Sequence, residues 1–484
     1  MAEYLSPGVY VEEIPSLIKP IAGVSTSIAG FIGVVPNLLP ELPVSVVNQE
    51  IRKGDGIKKD FELPKKHYPL IIPEQDQEKN YQFYVKENSG VVTKIDATLR
   101  NDEDNQVAIV TLSQEPPLTQ EQVLIGDYKH VFKPVPVGEV KLCTNFTEFT
   151  KFFGDFSTNL EQNRLAHAVY GFFNNGGSRC YVVRVNKQND INNQFLERTF
   201  EPIDEIAIVV APGITDDAIR DAIITHCQQK TQDRFAIFDS PEVVGDDKLV
   251  DLTKLSLSDP ENVQPNHSNY AAFYFPWIEV FDPATKDDPK TKGRKFVPPS
   301  GHIAGIYARV DTSVGVHKAP ANEVILGALG LKYNISKAQQ TLLNPQGVNC
   351  IRNLNGNLLV WGARTIGGDA NSDLKYINVR RTLLFLRESI DEGTQWVVFE
   401  PNTPNLWKRI TRNVSDFLTT VWRSGALFGD TPQQAFYVKC DAETNPPEER
   451  ELGRVVTEIG VAIVRPAEFV IFRISQVTPL TSGS

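Results

Sequence analysis

The sequence lacks the cysteine patterns that staple a secreted domain or bind zinc. Its five cysteines are an odd number with no CxxC pair, and they are scattered at Cys143, Cys180, Cys227, Cys350 and Cys440. Disulfide frameworks need paired cysteines in an oxidising compartment, and structural zinc sites need clustered ligands. We therefore expect free, mostly buried thiols and a protein made in a reducing compartment.

Long apolar runs are also missing. The stretch from Pro20 to Pro40 carries no charge, but Gly, Ser, Thr and Pro interrupt it, and a membrane span needs a longer unbroken run. The opening letters MAEYLSPGVYVEE are acidic and lack the apolar centre of a secretory signal. The sequence predicts no membrane insertion, and it predicts synthesis and assembly in the cytoplasm.

Basic residues are fewer than acidic residues. The chain has 49 Lys and Arg against 60 Asp and Glu, which gives a formal net charge of −11. Phosphate backbones are bound by basic surfaces, so direct nucleic-acid binding is not expected as a main activity.

Familiar catalytic and nucleotide-binding motifs are absent: there is no GxxxxGK[ST] loop, no GxGxxG after a strand, no HExxH and no GxSxG. His302 and His317, with Asp311 between them, could form a metal or acid/base site, but no third ligand stands at helical or hairpin spacing. The acidic turn at 101–105 lacks the ligand spacing and glycine of a calcium loop, which favours a hairpin tip. We predict no catalytic residue, metal or cofactor, with an uncharacterised enzyme as an alternative.

What is present indicates a multidomain α/β protein, since 484 residues exceed one ordinary compact domain. Residues 206–211 (IAIVVA) and 234–238 (RFAIF) are continuously apolar, as strands buried on both faces are. A helix is predicted between them over 216–229, with Thr215 as its cap. This alternation, from about residue 139 onward, predicts a doubly wound sheet. Gly213 is the single glycine in the turn after IAIVVA, and one glycine does not let the backbone approach a dinucleotide's pyrophosphate closely enough.

Residues 41–138 have a different sequence pattern from the α/β part of the chain. Short β-rich segments at 81–85, 91–95, 107–112 and 123–125 are separated by turn signals such as GDG, NSG and PP. Strands at this spacing predict a small all-β sandwich or barrel inserted into the chain.

The C-terminal part contains the clearest helices. One is predicted to be capped by Asp373 and to end at Gly393, and a second follows Thr403 and Pro404 and runs to about Arg423. Two β segments, 455–464 and 468–477, come after them. At the other end, residues 1–22 are strand-like around Pro7 and Gly8 but too short for a core, so they are either an arm or a frayed terminus.

Several segments, taken in order, resemble the contractile tail sheath family of phage tails, R-type pyocins and extracellular injection systems. YLSPGVYVEEIP and IAGVSTSIAGFIGVV resemble the family's N-terminal arm and first strand, while FFNNGGSRCYVVRV and GHIAGIYARVDTSVGVHKAPANE resemble its central domain. WGARTIGGD, YINVRRTLLFLRESI and IGVAIVRPAEFVIFRISQ resemble its C-terminal domain. The resemblance covers the arm and residues 139 to 480.

The resemblance implies an α/β (α+β) sheath core with extended β arms at both ends and an inserted β domain on the outer surface. The implied divisions are the following: 1–22 N-terminal linking arm, 23–40 first core segment, 41–138 insertion, 139–373 central α/β domain, 374–464 inner domain, 465–484 C-terminal linking strand and tail. The residues implied to join subunits are Tyr4, Val9, Tyr10, Val11, Glu468, Phe469, Val470, Ile471, Phe472 and Ile474.

The same resemblance implies a structural subunit of stacked hexameric rings around an inner tube, which contract to drive the tube through a target envelope. Implied partners are copies of the chain, the tube protein, baseplate and tail-terminator or cap proteins, and sister sheath subunits, in a virion tail or phage-like particle. A different self-assembling surface or adhesin-like protein is the other alternative.

A tube contact is predicted on the second C-terminal helix. At 100° per residue, Leu406, Ile410, Val414, Phe417 and Val421 share one face. The opposite face carries Lys408, Arg412, Thr419 and Arg423, and Arg409 and Asp416 flank it. The resemblance implies that the C-terminal domain is innermost, so this basic face, with Lys408, Arg409, Arg412 and Arg423, is the expected contact with an acidic tube. An ordinary solvated helix face is the alternative.

Overall fold

The computed structural model describes residues 20–73, 79–113, 117–256, 259 and 261–471. By its contacts the chain forms two compact units. The larger unit comprises Ser27–Arg309 and Pro320–Lys375, and the smaller unit contains, of the described residues, 20–26, 310–319 and 376–471. The smaller unit is therefore built from three separate stretches of sequence, of which sequence analysis assigned only the last to the C-terminal domain.

In the larger unit, strand β1 (Ala29–Val34) is followed by seven antiparallel strands that form two sheets of their own. These strands are β2 (Leu39–Lys53), β3 (Asp60–Glu62), β4 (Gln82–Glu87), β5 (Val92–Ile95), β6 (Ala97–Asp102), β7 (Val107–Leu112) and β8 (Gln122–Phe132). The sheet orders are β2-β8-β4-β5 and β3-β7-β6, and one hydrophobic cluster holds side chains of both, such as Phe61 and Phe83. The acidic turn between β6 and β7 is a hairpin tip in which Asp102 accepts from the Asn105 amide.

Two histidines lie in the core of this insertion. The rings of His67 and His130 stack with centroids 4.8 Å apart, and the Tyr128 hydroxyl lies 2.7 Å from Nδ1 of His67. Burial, together with the neighbouring His130 and Lys66, lowers the pKa of His67 to about 4. The folded insertion therefore favours the neutral imidazole.

This pair predicts acid lability of the insertion. The pKa of His67 lies below the unfolded value of about 6.5, so the unfolded state binds the proton more readily between these two pH values. The contribution of the neutral His67 to the free energy of unfolding is fully present above about pH 6.5. It is lost progressively as the pH falls towards 4. We expect a melting temperature several degrees lower at pH 4 than at pH 7, with a smaller difference for His67→Phe. Equal pH dependence in the two proteins would contradict this assignment.

The central sheet of the larger unit has nine strands in the order β16-β19-β18-β13-β12-β11-β1-β10-β9. Besides β1 they are β9 (Lys141–Cys143), β10 (Cys180–Val185), β11 (Ile208–Val210), β12 (Phe235–Asp239), β13 (Ala271–Phe275), β16 (Glu323–Val324), β18 (Val348–Leu354) and β19 (Asn357–Val360). The six strands from β18 to β10 run parallel, and β1, β11, β12 and β13 are buried throughout. The predicted α/β class with a doubly wound sheet is confirmed.

Helices and a small sheet surround these strands. They are α1 (Phe146–Phe153), α2 (Leu160–Asn174), α3 (Asn193–Thr199), α4 (Asp217–Thr225), α5 (Ser300–Ser313) and α6 (Lys337–Leu343), with β14 (Ile278–Phe281), β15 (Arg294–Val297) and β17 (Ala328–Leu331). The predicted cap of α4 was wrong by one residue, because the Asp216 carboxylate accepts from the Ile219 amide. The helix then continues as a π-helix, His226–Thr231.

Within the described residues, the smaller unit contains the last four residues of α5, four further α-helices and two strands. They are α7 (Ile377–Thr394), α8 (Pro404–Arg423), α9 (Pro432–Ala435), β20 (Phe436–Lys439), α10 (Pro447–Glu451) and β21 (Glu458–Val461). Helix α8 has the predicted bounds, and its predicted apolar face lies in the unit's hydrophobic cluster. No helix among the described ranges is long and apolar enough to cross a membrane.

Helix α7 differs from its predicted start. It begins at Ile377 and not after Asp373, since residues Gly368–Leu374 form a 3-10 segment and Tyr376 is extended. Its last residue is Thr394, one beyond the predicted Gly393. The predicted Asp373 cap is therefore wrong, because a separate short turn precedes the helix.

The predicted strand at 468–477 is only partly within the described residues. From Glu468 to Ile471 no strand is formed, and the side chains of Phe469, Val470 and Ile471 are 70, 69 and 77% exposed. Phe472 and Ile474 lie outside the described residues, as do Tyr4, Val9, Tyr10 and Val11. The assignment of these ten residues as linking segments therefore stays a prediction.

Candidate assembly surfaces

Of the residues considered for metal or acid/base chemistry, Asp311 is engaged in an ion pair with Arg381. His302 is 2% exposed in α5, and burial, with His167, lowers its pKa to about 3. Asp311 accepts two hydrogen bonds from Arg381, at 2.9 and 2.7 Å. The His317 carbonyl accepts from Asn378 at 2.7 Å. Across the described part of the chain, no group of three His, Cys, Asp or Glu side chains could hold a metal ion.

A buried carboxylate does stand where doubly wound enzymes place functional groups, at the carboxyl end of a parallel strand. Asp239 ends β12 and is fully buried, which raises its pKa to about 6 although its hydrogen bonds oppose this shift. It accepts from the Gly213 amide at 3.0 Å and from the amide and hydroxyl of Ser300 at 2.8 and 2.6 Å. The carboxylate joins the loop after β11 to the start of α5.

A second buried polar cluster was not found from the sequence. The Asp282 carboxylate lies 3.3 Å from Nε2 of His167 and 3.4 Å from Nζ of Lys295, and it accepts from Asn163 at 3.1 Å. Burial acts to raise the pKa of Asp282, but His167 and Lys295 lower it to about 2. These residues are far apart in sequence and have no motif spacing, so only the fold brings them together. The arrangement ties α2 to the β14–β15 hairpin.

The first described residues of the chain lie against helix α7. Ile21 belongs to the hydrophobic cluster of the smaller unit. The Val24 amide donates to the Ser389 hydroxyl at 3.1 Å, and Arg381 donates to the Thr26 carbonyl at 2.8 Å. We call residues 21–26 the N-terminal root, because the predicted arm precedes them.

The other end of the chain is held at the start of the same helix. The Tyr376 hydroxyl donates to the Glu468 carboxylate at 2.9 Å, and Asn378 donates to the Val464 carbonyl at 3.2 Å. The Val464 amide in turn donates to the Ala426 carbonyl at 3.2 Å. We call residues 464–468 the C-terminal root, after which the exposed apolar side chains begin.

Strands β20 and β21 form a two-stranded antiparallel sheet, in which Phe436 pairs with Val461. Apart from a bridge between Leu427 and Ile463, no further strand pairs with this sheet in the described residues. Tyr437 is 58% exposed, and its ring lies beside Gly460, the residue it pairs with on β21. Isolated pairs of strands are marginal, and unpaired edges accept further strands. The sheet has the geometry of an acceptor for strand addition.

The polar face of α8 divides into two parts. Lys408, Arg412 and Arg423 are exposed. Arg409 instead pairs with Glu400 at 3.0 Å and lies over the Trp396 ring at 4.6 Å. Of the four basic residues predicted to meet a tube, three are therefore accessible in the chain and one is engaged within it.

Sequence matches identify the family. The model for the phage tail sheath protein central domain matches residues 193–366, and the model for the phage tail sheath C-terminal domain matches residues 369–477. Together the two matches span more than half of the chain, and the chain belongs to the phage tail sheath protein family, whose members are structural proteins.

Two curated relatives agree with this assignment. The tail sheath protein of Burkholderia phage BcepMu is 27% identical over 43% of this chain and 42% of its own length. The tail sheath protein of Vibrio phage KVP40 is 25% identical over 36% of this chain and 26% of its own length. The matched region thus spans less than half the length of either relative.

The fold is also similar to solved sheath structures. The sheath of an extracellular contractile injection system, PVC, in the contracted state has 23% identity and a TM-score of 0.64, with 99% of each chain covered. The contracted helical sheath of the anti-feeding prophage has 23% identity and a TM-score of 0.62, covering 97% of this chain and 99% of that chain. These likenesses extend through the insertion and both units.

Proposed function

We propose that this chain is the sheath subunit of a contractile particle. It assembles as stacked hexameric rings around an inner tube, within a phage tail or phage-like injector built in the cytoplasm, and contraction drives the tube through a target envelope. The observation that carries the proposal is the ordered match of central and C-terminal sheath domains over residues 193–477. Baseplate, terminator or cap proteins and sister sheath subunits are further partners of such a particle.

Subunits are linked by strand addition. The N-terminal segment around Tyr4 and Val9–Val11 and the C-terminal segment from Glu468 add to the β20–β21 sheet of neighbouring subunits. Main-chain hydrogen bonds supply the joint, and alternating side chains set the register. The open edges of this sheet and the exposed apolar residues beyond the C-terminal root support this arrangement.

Contraction needs no catalysis in this scheme. The extended lattice is kinetically trapped, and rigid units reorient about their linking segments when a trigger releases them. The energy is stored during assembly, so we infer that the chain acts without a catalytic residue, metal or cofactor.

Electron microscopy of the purified chain tests the proposal. A sheath subunit produces long striated cylinders in negative stain, whereas an adhesin-like surface protein or an enzyme does not. Discrete monomers under all polymerising conditions, with the folded state verified by circular dichroism, would count against a sheath role.

The insertion at 41–138 belongs to the outer surface in this proposal. Its two sheets close on their own hydrophobic cluster, whereas Val135 and Gly138 hydrogen-bond to Arg184 of β10. Removal of residues 41–132 alone therefore keeps these two contacts of the central sheet. We expect a chain with 41–132 replaced by a short Gly/Ser linker to form cylinders of smaller diameter. A folded variant that forms none would show that the insertion belongs to the lattice.

The accessible basic residues of α8 contact the inner tube. Exposed ion pairs contribute roughly 0–1 kcal/mol each and are screened by salt, which suits a contact that holds and then releases. Changing Lys408, Arg412 and Arg423 together to Glu should preserve the melting temperature and yield empty or precontracted sheaths. Reversal of Arg387, Arg450 and Arg454, which are exposed in the same unit but lie outside α8 and the β20–β21 sheet, is the matched control. Normal yields of tube-filled particles from the α8 variant would place the tube contact on another surface.

A further inference from the structure

Helix α7 holds the N-terminal root along one face. Arg381, Phe385, Ser389 and Gly393 recur every four residues, so they lie on one side of the helix. Each contacts residues 21–26. A Cβ on Gly393 would lie 2.6 Å from Ile21, and a Cβ on Gly23 would lie 2.8 Å from the Phe385 ring. Both glycines are therefore needed for the root to approach the helix this closely.

The polar contacts of this root are buried at its inner end. Thr26 donates from its hydroxyl to Asp311 at 2.6 Å and accepts through its carbonyl from Arg381 at 2.8 Å. The side chains of Arg381 and Asp311 are each 4% exposed, and they lie 2.7 Å apart. The segment 310–319 thus braces the same helix, and its His317 carbonyl accepts from Asn378.

The two roots lie at opposite ends of α7. The N-terminal root runs antiparallel to the helix. Its residue 21 lies against Gly393, near the end of α7, and its residue 26 lies against Arg381, near the start. The C-terminal root is held by Tyr376 and Asn378, at the helix N-terminus. A helix of this length spans about 27 Å. The preceding arm therefore leaves near one end of the helix and the following segment near the other.

We propose that α7 is a rigid tie that couples the two linking arms within each subunit. A pulling force on one arm is transmitted along the hydrogen-bonded helix to the other arm. Because this force acts along the helix axis, the contacts of residues 381, 385, 389 and 393 bear it together. Both roots and the helix belong to the smaller unit, so the path does not pass through the larger unit. The biological use of this path rests on the proposed sheath function, since that function makes both ends into links.

Single-molecule pulling on the full chain, held by its two termini, tests the coupling without requiring assembly. In the wild type, residues 20–26 should stay attached until the smaller unit unfolds. The double variant T26V/S389A removes two hydrogen bonds of the root without burying a charge. It should show an early extension of about 2 nm, the contour of the freed segment. Arg387→Lys, an exposed change on the same helix, is the control and should behave as wild type.

The outcomes are distinct. An early extension confined to T26V/S389A, with a melting temperature close to wild type, supports the tie. The same early step in the wild type, or none in the double variant, overturns it. Failure of the wild type to form cylinders would contradict the sheath function but would not alter the pulling result. In assembled particles, the double variant should give sheaths that break at least twofold more often on contraction.

Discussion

Deletion of Met1–Pro15 is expected to yield a folded subunit that cannot build long sheaths. Among the described residues, the hydrophobic cluster of the smaller unit begins with Ile21, and the deletion keeps all of these residues and the N-terminal root. What is lost is the strand that a neighbour would receive. Negative-stain images should show single subunits or short arcs in place of cylinders, while the melting temperature stays within a few degrees of wild type. Termination after Pro466 should have the same effect, because Ile463 is the last residue of the core cluster within the part of the chain that the structure describes.

Proline substitution separates the strand from its side chains. A strand joint depends on main-chain donors, which proline removes. Val9→Pro combined with Val11→Pro should therefore abolish long cylinders, and the matched pair Val9→Ala and Val11→Ala should retain most of them. Truncated chains mixed with intact ones should also shorten the cylinders in proportion to their fraction. Normal contractile sheaths from either truncation would refute linkage by the arms.

Breaking the Arg381–Asp311 pair should give the largest loss of stability of any single substitution considered. Replacement of Arg381 by Met leaves a carboxylate that is 4% exposed without its guanidinium partner. Removal of one member of a buried ion pair costs about 3–5 kcal/mol, because the remaining charge stays desolvated. We expect the melting transition of the smaller unit to move down by many degrees, as measured by calorimetry and by hydrogen exchange of α7.

Replacing both members distinguishes charge burial from packing. Arg381→Met with Asp311→Leu should recover much of the lost stability, since no buried charge remains unpaired. Arg387→Met is the exposed control on the same helix and should change stability by no more than about 0.5 kcal/mol. A single Arg381→Met variant as stable as this control would show that the pair contributes little.

Local patterns predicted the elements whose causes are local. The apolar run IAIVVA contains β11, and RFAIF contains all of β12 except its last residue, Asp239, because strands buried on both faces are mostly apolar. Thr403 and Pro404 mark the start of α8, since proline suits the first helical turn. The two caps were wrong for a local reason too. Asp216 caps α4 in place of its neighbour Thr215, and a 3-10 segment separates Asp373 from α7.

The segment after Glu468 shows the limit of such patterns. Its β-forming residues predicted a strand, yet the described part to Ile471 forms none. A strand is completed by hydrogen bonds to a partner strand, and this partner is not encoded in the segment itself. The β-forming residues of this segment allow it to pair as a strand, but a strand forms only where the edge of another strand accepts its hydrogen bonds.

The sequence by itself determined the α/β class, the β-rich insertion, the bounds of α8 and the ordered segments by which the sheath family is identified. The first three follow from residue periodicity and from turn and cap chemistry, which act over a few residues, whereas the family follows from the resemblance of those segments to known sheath proteins. Only the tertiary structure decided that residues 20–26, 310–319 and 376–471 form one unit, and that Asp311 meets Arg381 and Thr26 there. Such a contact joins residues separated by 70 or more positions, so its energy depends on burial and geometry that no local pattern contains.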